Sequence, residues 1–347
     1  MPEKINIAVV GASGLVGGEL LALLEKRKFP VGVFMPFNSG RNEAAVIFKG
    51  KRYACRRPTF AALKKASLVF FVSTDEVSAR FARKLAGSGV WCIDDSSEFR
   101  LAKGVPLVIP EVNAGEINQR HRLIAGPNCT LTGVAVALND IHKALNIKEL
   151  RIATYQAVSG AGKNAIKQLK KELGHYFKHG KVPSLKDREF PRAIAFNLFP
   201  QVGGFDKNGM SVEESKVEAE LKKIWADPGI KISSTAVRVP VLRGHSLSVW
   251  VKTGKKWSLG RLEKLLLHTQ GLKFAKNPYN YPTPLDCVRT AGVKAGRLRV
   301  SGTGPNEFQL WIVSDNLYKG AALNSVEIAE YLLKRGLLLP AKWSGGK

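Results

Sequence analysis

Two stretches of this 347-residue chain carry residue types at spacings that could do chemistry. In AGPNCTLTG, residues 125–133, Cys129 stands between a Pro-Asn pair and a Thr-Leu-Thr run, ahead of the apolar text GVAVAL. Two readings are open for it: small core filler, or a nucleophile at the start of a helix, whose positive end favours a thiolate. The other stretch is INIAVVGASGLVGGELLALLEKR near the N-terminus, where Gly11, Gly14 and Gly17 lie between an apolar run and a helical pattern. Glycines so placed permit a tight turn and let backbone N–H groups approach a pyrophosphate at the helix end. The spacing is GxxGxxG rather than GxGxxG, a variant found in some dinucleotide sites. A glycine triplet alone also fits close helix–strand packing.

The strand after the glycine turn bears on the choice of cofactor. An NAD site usually places Asp or Glu about 20 residues on, to hold the ribose hydroxyls. Residues 31–42, VGVFMPFNSGRN, contain no acid, and Ser39 and Arg41 are available to meet a 2′-phosphate. The expectation is NADP, with NAD as the alternative.

Such groups need a scaffold. IAVV, VGVFMPF, SLVFFVST (67–74) and VWCIDDSS (90–97) read as strands, with helical text such as EVSARFARKLAGSG between the last two. That alternation indicates a parallel α/β sheet. LRIATYQAVSG (150–160) opens a different region: a basic helix over 162–177, a Pro/Gly-rich stretch over 182–210, then strands at STAVRVPV, HSLSVWVKT, RLRVSG and FQLWIVSD. Consecutive strands with few helices predict a mixed or antiparallel sheet. The expected division is a first domain over 1–128 and a second over 129–317, with a C-terminal helix (318–340) returning to the first.

Composition narrows the classes. With 45% apolar and 8% aromatic residues, the chain can build two cores and is not disordered. No apolar run reaches the length of a signal or membrane segment, so the expectation is a cytoplasmic protein with no membrane partner. Cys55, Cys92, Cys129 and Cys287 are widely spaced, which argues against a disulfide framework or a metal site. Buried, inert packing is expected for Cys55, Cys92 and Cys287. The net charge of +26 favours anionic partners in general. Basic residues are spread along the chain, densest over 163–188, with no basic helix of interleaved aromatics, so a nucleic-acid partner is not expected.

Taken in order, the motifs resemble those of the aspartate-β-semialdehyde dehydrogenase family over nearly the whole chain. They are GASGLVG (11–17), DDSSEFR (94–100), VIPEVN (108–113), GPNCT (126–130), QAVSGAG (156–162), IAFNLFPQ (194–201), EESK (213–216), RVPVLRGHS (238–246), YPTP (281–284) and QLWIVSDNLYKGAALNSVEIAE (309–330). The resemblance implies an α/β fold: an N-terminal Rossmann-type dinucleotide-binding domain, then an α+β catalytic and dimerisation domain with a mixed sheet. It makes Cys129 the nucleophile, His245 the general acid/base and Gln156 a substrate-orienting group. Arg238 would hold the substrate's α-carboxylate and Glu213 its amino group, while Arg100 and Lys216 would bind phosphate. Gly11, Ser13, Gly14, Leu15, Val16, Gly17, Ser39, Arg41 and Ser73 would hold the cofactor, with Ser159, Gly162, Asn316 and Lys319 at its nicotinamide end. The other histidines, His121, His142, His175, His179 and His268, match no motif and are expected at the surface or in caps.

The implied reaction is the reversible, NADP-dependent reductive dephosphorylation of β-aspartyl phosphate to aspartate semialdehyde through a Cys129 thioester. That step belongs to the aspartate pathway of lysine, methionine and threonine biosynthesis. Inorganic phosphate is the second small-molecule partner, and a homodimer or homotetramer is implied. The alternatives are a reductase of N-acetyl-γ-glutamyl phosphate, which shares the mechanism, and a basic nucleic-acid-binding protein on the same fold. Three positions depart from the family pattern. Asn38-Ser39-Gly40-Arg41 replaces an Arg-Ser-Ala-Gly-Lys loop, Asp95 stands where asparagine is usual, and Leu247 replaces an acid. Asp95 would put negative charge beside the cofactor unless Arg100 or another cation offsets it.

Overall fold

The computed structural model describes residues 4–39, 44–184, 186, 188–300, 302 and 304–339. The chain divides into two compact units, Met1–Pro127 with Ala321–Lys347, and Asn128–Gly320.

In the first unit, β1 (Ile5–Val10), α1 (Leu15–Lys26) and β2 (Val31–Phe37) form the opening crossover. A small hairpin, β3 (Ala45–Phe48) and β4 (Lys51–Ala54), precedes the short helix α2 (Phe60–Leu63). Then follow β5 (Leu68–Phe71), α3 (Asp75–Gly87), β6 (Trp91–Asp94), α4 (Pro110–Asn113) and β7 (Leu123–Ala125). The sheet order is β2-β1-β5-β6-β7, and every pairing is parallel. Central strands of such a sheet are covered on both faces, so they read as unbroken apolar runs. Every residue of Leu68–Phe71 and of Trp91–Asp94 is buried.

The second unit begins with α5 (Cys129–Leu145) and continues through β8 (Ile147–Gln156), α6 (Lys163–His179), α7 (Val212–Ile224), β9 (Lys231–Arg238) and β10 (His245–Thr253). It closes with α8 (Leu259–His268), β11 (Leu272–Phe274), α9 (Pro284–Cys287), β12 (Val293–Val300) and β13 (Glu307–Ser314). These strands form a mixed sheet in the order β11-β12-β13-β10-β8-β9. Its pairings are parallel at β11/β12 and β8/β9 and antiparallel elsewhere. Leu247, Val249 and Val251 of β10 are buried with Ile152 of β8 and Leu310 and Ile312 of β13 on the face that carries α5. Gly133 lets α5 approach closely, because a Cβ there would lie 3.1 Å from Ser314 Oγ of β13. The inward position of Leu247 accounts for an apolar residue there: its side chain is core, not active-site lining. Tyr155 and Trp250 stand exposed on the opposite face.

After the second unit the chain re-enters the first as α10 (Leu323–Lys334), which packs on α1 and is tied to it by the Arg27–Glu330 ion pair at 2.6 Å. No helix among the described residues is long and apolar enough to cross a membrane.

Candidate active site

Three strand ends and one helix start meet at the same end of the second sheet. Gln156 closes β8 and pairs in register with Arg238, which closes β9. His245 opens β10, the antiparallel neighbour of β8. Cys129 is the first residue of α5. Asn128 caps that helix, its side-chain oxygen accepting the Thr130 N–H at 2.7 Å, which is why the helix starts here. The cysteine Sγ therefore sits at the positive end of a 17-residue helix.

Cys129 is half-buried, and its Sγ lies 3.6 Å from Nε2 of His245. Glycines crowd this pair. A Cβ at Gly320 would come within 2.8 Å of the Cys129 Cβ, and one at Gly160 within 3.3 Å of His245 Nε2 and 3.1 Å of Arg238 Nη1. Gly244, just before the histidine, has φ +94°, and a Cβ there would press on Cys287 Sγ at 2.9 Å. The turn is braced by Arg243, whose Nε and Nη2 both lie 2.8 Å from the buried Asp315 carboxylate.

Arg238 is buried. Its Nη1 donates to the Ala157 carbonyl at 2.7 Å, and its guanidinium stands over the Phe190 ring at 5.7 Å. Its Nε is sealed from solvent and has no hydrogen-bond partner among the described residues. Burial pulls the Arg238 pKa down, while Glu213 and Cys129 pull it back up. Burial, then the positive charge of Arg238, lowers the His245 pKa to about 3.

Glu213, in the first turn of α7, is also buried. Its carboxylate accepts from Asn128 Nδ2 at 2.9 Å, Thr130 Oγ1 at 2.9 Å and Gln156 Nε2 at 3.0 Å. Lys216 follows one turn later on the same helix and is half-buried. Ser159 and Asn316 are brought together, with Asn316 Nδ2 donating to Ser159 Oγ at 3.0 Å, and Asn316 also accepts the Gly244 N–H at 3.0 Å. Lys319 is fully buried, and Gly162 precedes α6 with φ +94°.

The residues the sequence reading missed act mostly through backbone atoms. Ala157, Gly160 and Gly320 are such positions; Glu220 is the exception, its side-chain carboxylate accepting the backbone N–H of Asn128 at 2.8 Å. Two simpler expectations need correction. Cys55 is half-buried rather than buried, because it lies just outside the small hairpin; burial still raises its pKa. His142, in the last turn of α5, is half-buried rather than exposed: it stacks on Trp225 at 4.6 Å between ring centroids, and burial lowers its pKa. Cys92 and Cys287 are buried as expected, and burial pushes the Cys287 thiol up to about 12.

The glycine turn of the first unit opens onto a cavity of about 880 Å³. Gly11 has φ +91°, and a Cβ on it would meet the Val72 carbonyl oxygen at 2.3 Å; one on Gly17 would meet the Gly11 oxygen at 2.3 Å. Both glycines are thus imposed by the turn itself. Gly11, Ser13, Gly14, Ser39 and Ser73 line the cavity, and the Ser73 hydroxyl is buried with no hydrogen-bond partner among the described residues. Leu15, Val16 and Gly17 belong to the start of α1 and lie outside that lining. Arg41 is outside the described residues. Arg57 and Arg80, from separate segments, supply cations to the cavity, and Glu76 adds an acid. A glycine-floored cleft at a helix start, with two arginines in its lining, fits an anionic dinucleotide.

Also in the first unit, Arg100 is buried and its Nη2 donates to the Asp95 carbonyl at 2.8 Å, so it meets the backbone of residue 95. The Asp95 carboxyl instead accepts from Ser325 Oγ at 2.5 Å, and its Oδ2 is sealed without a hydrogen-bond partner among the described residues. Burial, opposed by the Ser325 bond, raises its pKa to about 7. Protonation thus contributes to offsetting the charge that this position would otherwise carry.

Comparison with known proteins follows the same division. Residues 6–120 match the family model described as semialdehyde dehydrogenase, NAD binding domain, and residues 138–319 match semialdehyde dehydrogenase, dimerisation domain. The aspartate-semialdehyde dehydrogenase of Aquifex aeolicus is 38% identical over 339 residues, 96% of this chain and 99% of that one. The Bacillus subtilis enzyme of the same name is 35% identical over 346 residues, covering 97% and 100%. Among solved structures, aspartate semialdehyde dehydrogenase II of Vibrio cholerae, complexed with ASA, is 34% identical and superposes with a TM-score of 0.90 over 96% of this chain and 99% of that one. The chain belongs to the aspartate-semialdehyde dehydrogenase family.

Proposed function

We propose that this protein catalyses the reversible, NADP-dependent reductive dephosphorylation of β-aspartyl phosphate to aspartate semialdehyde through a thioester on Cys129. The observation that carries this reading is Cys129 at the start of α5, 3.6 Å from His245 and in the field of the buried Arg238. A helix N-terminus and a nearby cation favour negative charge on sulfur, and a thiolate attacks an acyl phosphate readily. The guanidinium of the buried Arg238 takes the substrate's carboxylate, whose planar geometry it matches. Gln156 and Glu213, held together at 3.0 Å, border the same space and orient the substrate, and Lys216 attracts phosphate.

A bound nicotinamide dinucleotide supplies the hydride. Gly11, Ser13, Gly14 and Ser73 hold its pyrophosphate, and Ser39, Arg57 and Arg80 meet the 2′-phosphate that distinguishes NADP. The family model's dimerisation domain supports a homodimer, and the open sheet face bearing Tyr155, Trp250 and Trp311 is the surface assigned to it. The pathway role is production of the semialdehyde for lysine, methionine and threonine synthesis in the cytoplasm.

The test is steady-state reduction of NADP with aspartate semialdehyde and phosphate, set beside N-acetyl-glutamate semialdehyde. Turnover of the first substrate alone, lost in Cys129→Ala, supports the proposal; turnover of only the second contradicts it.

A further inference from the structure

We infer that Asp315 is a positioning residue for catalysis: through the turns it ties together, it sets where His245 and Cys129 stand relative to each other. This rests on Cys129 and His245 being the reacting pair, and it concerns what holds them in place.

Asp315 follows directly on Ser314, the residue of β13 that pairs in register with His245. Its carboxylate is fully buried and takes partners from three separate turns. Arg243 Nε lies 2.8 Å from both of its oxygens. The Arg289 N–H donates to Oδ2 at 2.7 Å, and the Leu317 N–H donates to Oδ1 at 3.0 Å. The Asp315 backbone carbonyl also accepts the Gly320 N–H, at 3.0 Å.

Each of these turns bears on the reacting pair. Arg243 leads into Gly244, whose N–H is held by Asn316 at 3.0 Å and whose backbone hydrogen-bonds to the His245 ring. The same ring accepts the Ala157 N–H at Nδ1, at 3.1 Å. Arg289, with φ +53°, lies just past α9, which covers Gly244: a Cβ on that glycine would meet Cys287 Sγ and the Pro284 carbonyl oxygen, each at 2.9 Å. Gly320 backs the nucleophile, since a Cβ on it would lie 2.8 Å from Cys129 Cβ. One carboxylate thus holds the turn before the histidine, the cover on that turn and the segment behind the cysteine.

A plain staple would not need a charge here. Desolvating an ion pair offsets much of its attraction, and apolar side chains of similar size hold a sheet end as well. What the carboxylate adds is direction, because it accepts several N–H groups at set angles. Direction matters most where a displacement of about 1 Å can cost about 100-fold in rate.

The test is steady-state kinetics and thermal melts on the full-length enzyme carrying Asp315→Asn, Arg243→Lys, or Arg243→Met with Asp315→Leu. Asp315→Asn should lower kcat by about 100-fold and leave KM for aspartate semialdehyde nearly unchanged. Arg243→Lys keeps the charge but loses the planar fork, and should lower kcat by at least about tenfold. The double variant removes both charges together, so it should recover the parent Tm while kcat stays low. If Asp315→Asn does not fold, the other two variants decide the matter. Unchanged kcat in Arg243→Lys, or a double variant that regains kcat along with Tm, overturns the inference and leaves the pair a structural staple. Wild-type turnover that persists in Cys129→Ser defeats the underlying reading instead.

Discussion

Asn128 donates to Glu213 at 2.9 Å while its own oxygen caps the helix that Cys129 begins. The acid proposed to orient substrate and the cap of the helix that starts at the proposed nucleophile are thus one network. Removing the Glu213 carboxylate leaves Asn128, Thr130 and Gln156 short of an acceptor, at a cost of about 1–3 kcal/mol for each buried donor. Glu213→Ala is therefore expected to lower both Tm and kcat, whereas Lys216→Ala raises KM for phosphate and leaves Tm nearly unchanged. Thermal melts and steady-state kinetics on the two variants check this, and a stable Glu213→Ala contradicts it.

Cofactor choice is expected to depend on Arg57 and Arg80, which line the cavity with Ser39. Losing one arginine–phosphate contact raises KM for NADP by about tenfold. KM for NAD should hardly move in Arg57→Ala or Arg80→Ala. Equal increases for both cofactors would place these arginines on the shared pyrophosphate instead.

Asp95 predicts a pH dependence of stability. Its folded pKa of about 7 is raised above the unfolded value, mainly by burial, so the native state binds a proton that the unfolded chain releases. The resulting stability is fully present below about pH 4 and is lost with a slope of about 1.4 kcal/mol per unit as pH rises toward 7. Asp95→Asn removes this term. Its Tm should exceed the parent's most at about pH 8, with a gap that narrows by about pH 5. A gap independent of pH contradicts the assignment.

The sheet face carrying Trp250 tests the oligomer. Tyr155 and Trp311 lie 5.6 Å apart between ring centroids, and Trp250 is exposed on the next strand. A charge buried in an interface is costly to desolvate, so Trp250→Glu should shift the sedimentation coefficient to that of a monomer. An unchanged assembly moves the interface elsewhere.

Some of this could be read directly from residues. Strands β1, β5 and β6 were evident because strands buried on both faces are written as continuous apolar text. The β3–β4 hairpin was not, since KRYA is polar and largely exposed, and β7 is three residues long. The helix start at Cys129 follows from an asparagine cap that the sequence displays. Ala157, by contrast, leaves no trace in side-chain chemistry, because its part is played by an N–H and a carbonyl that every residue but proline has. Gly160 and Gly320 matter through contacts made only once distant strands pair. Arg57 and Arg80 come from separate segments, and among 54 lysines and arginines nothing in composition marks them.

The central claim is the covalent step on Cys129. Mixing the enzyme with aspartate semialdehyde and NADP, but no phosphate, allows oxidation to the thioester and withholds the group that releases it. The account predicts a burst of about one NADPH per active site, absent from Cys129→Ser, with the acyl mass found on the peptide containing Cys129. No burst, or a burst that persists in Cys129→Ser, would contradict it.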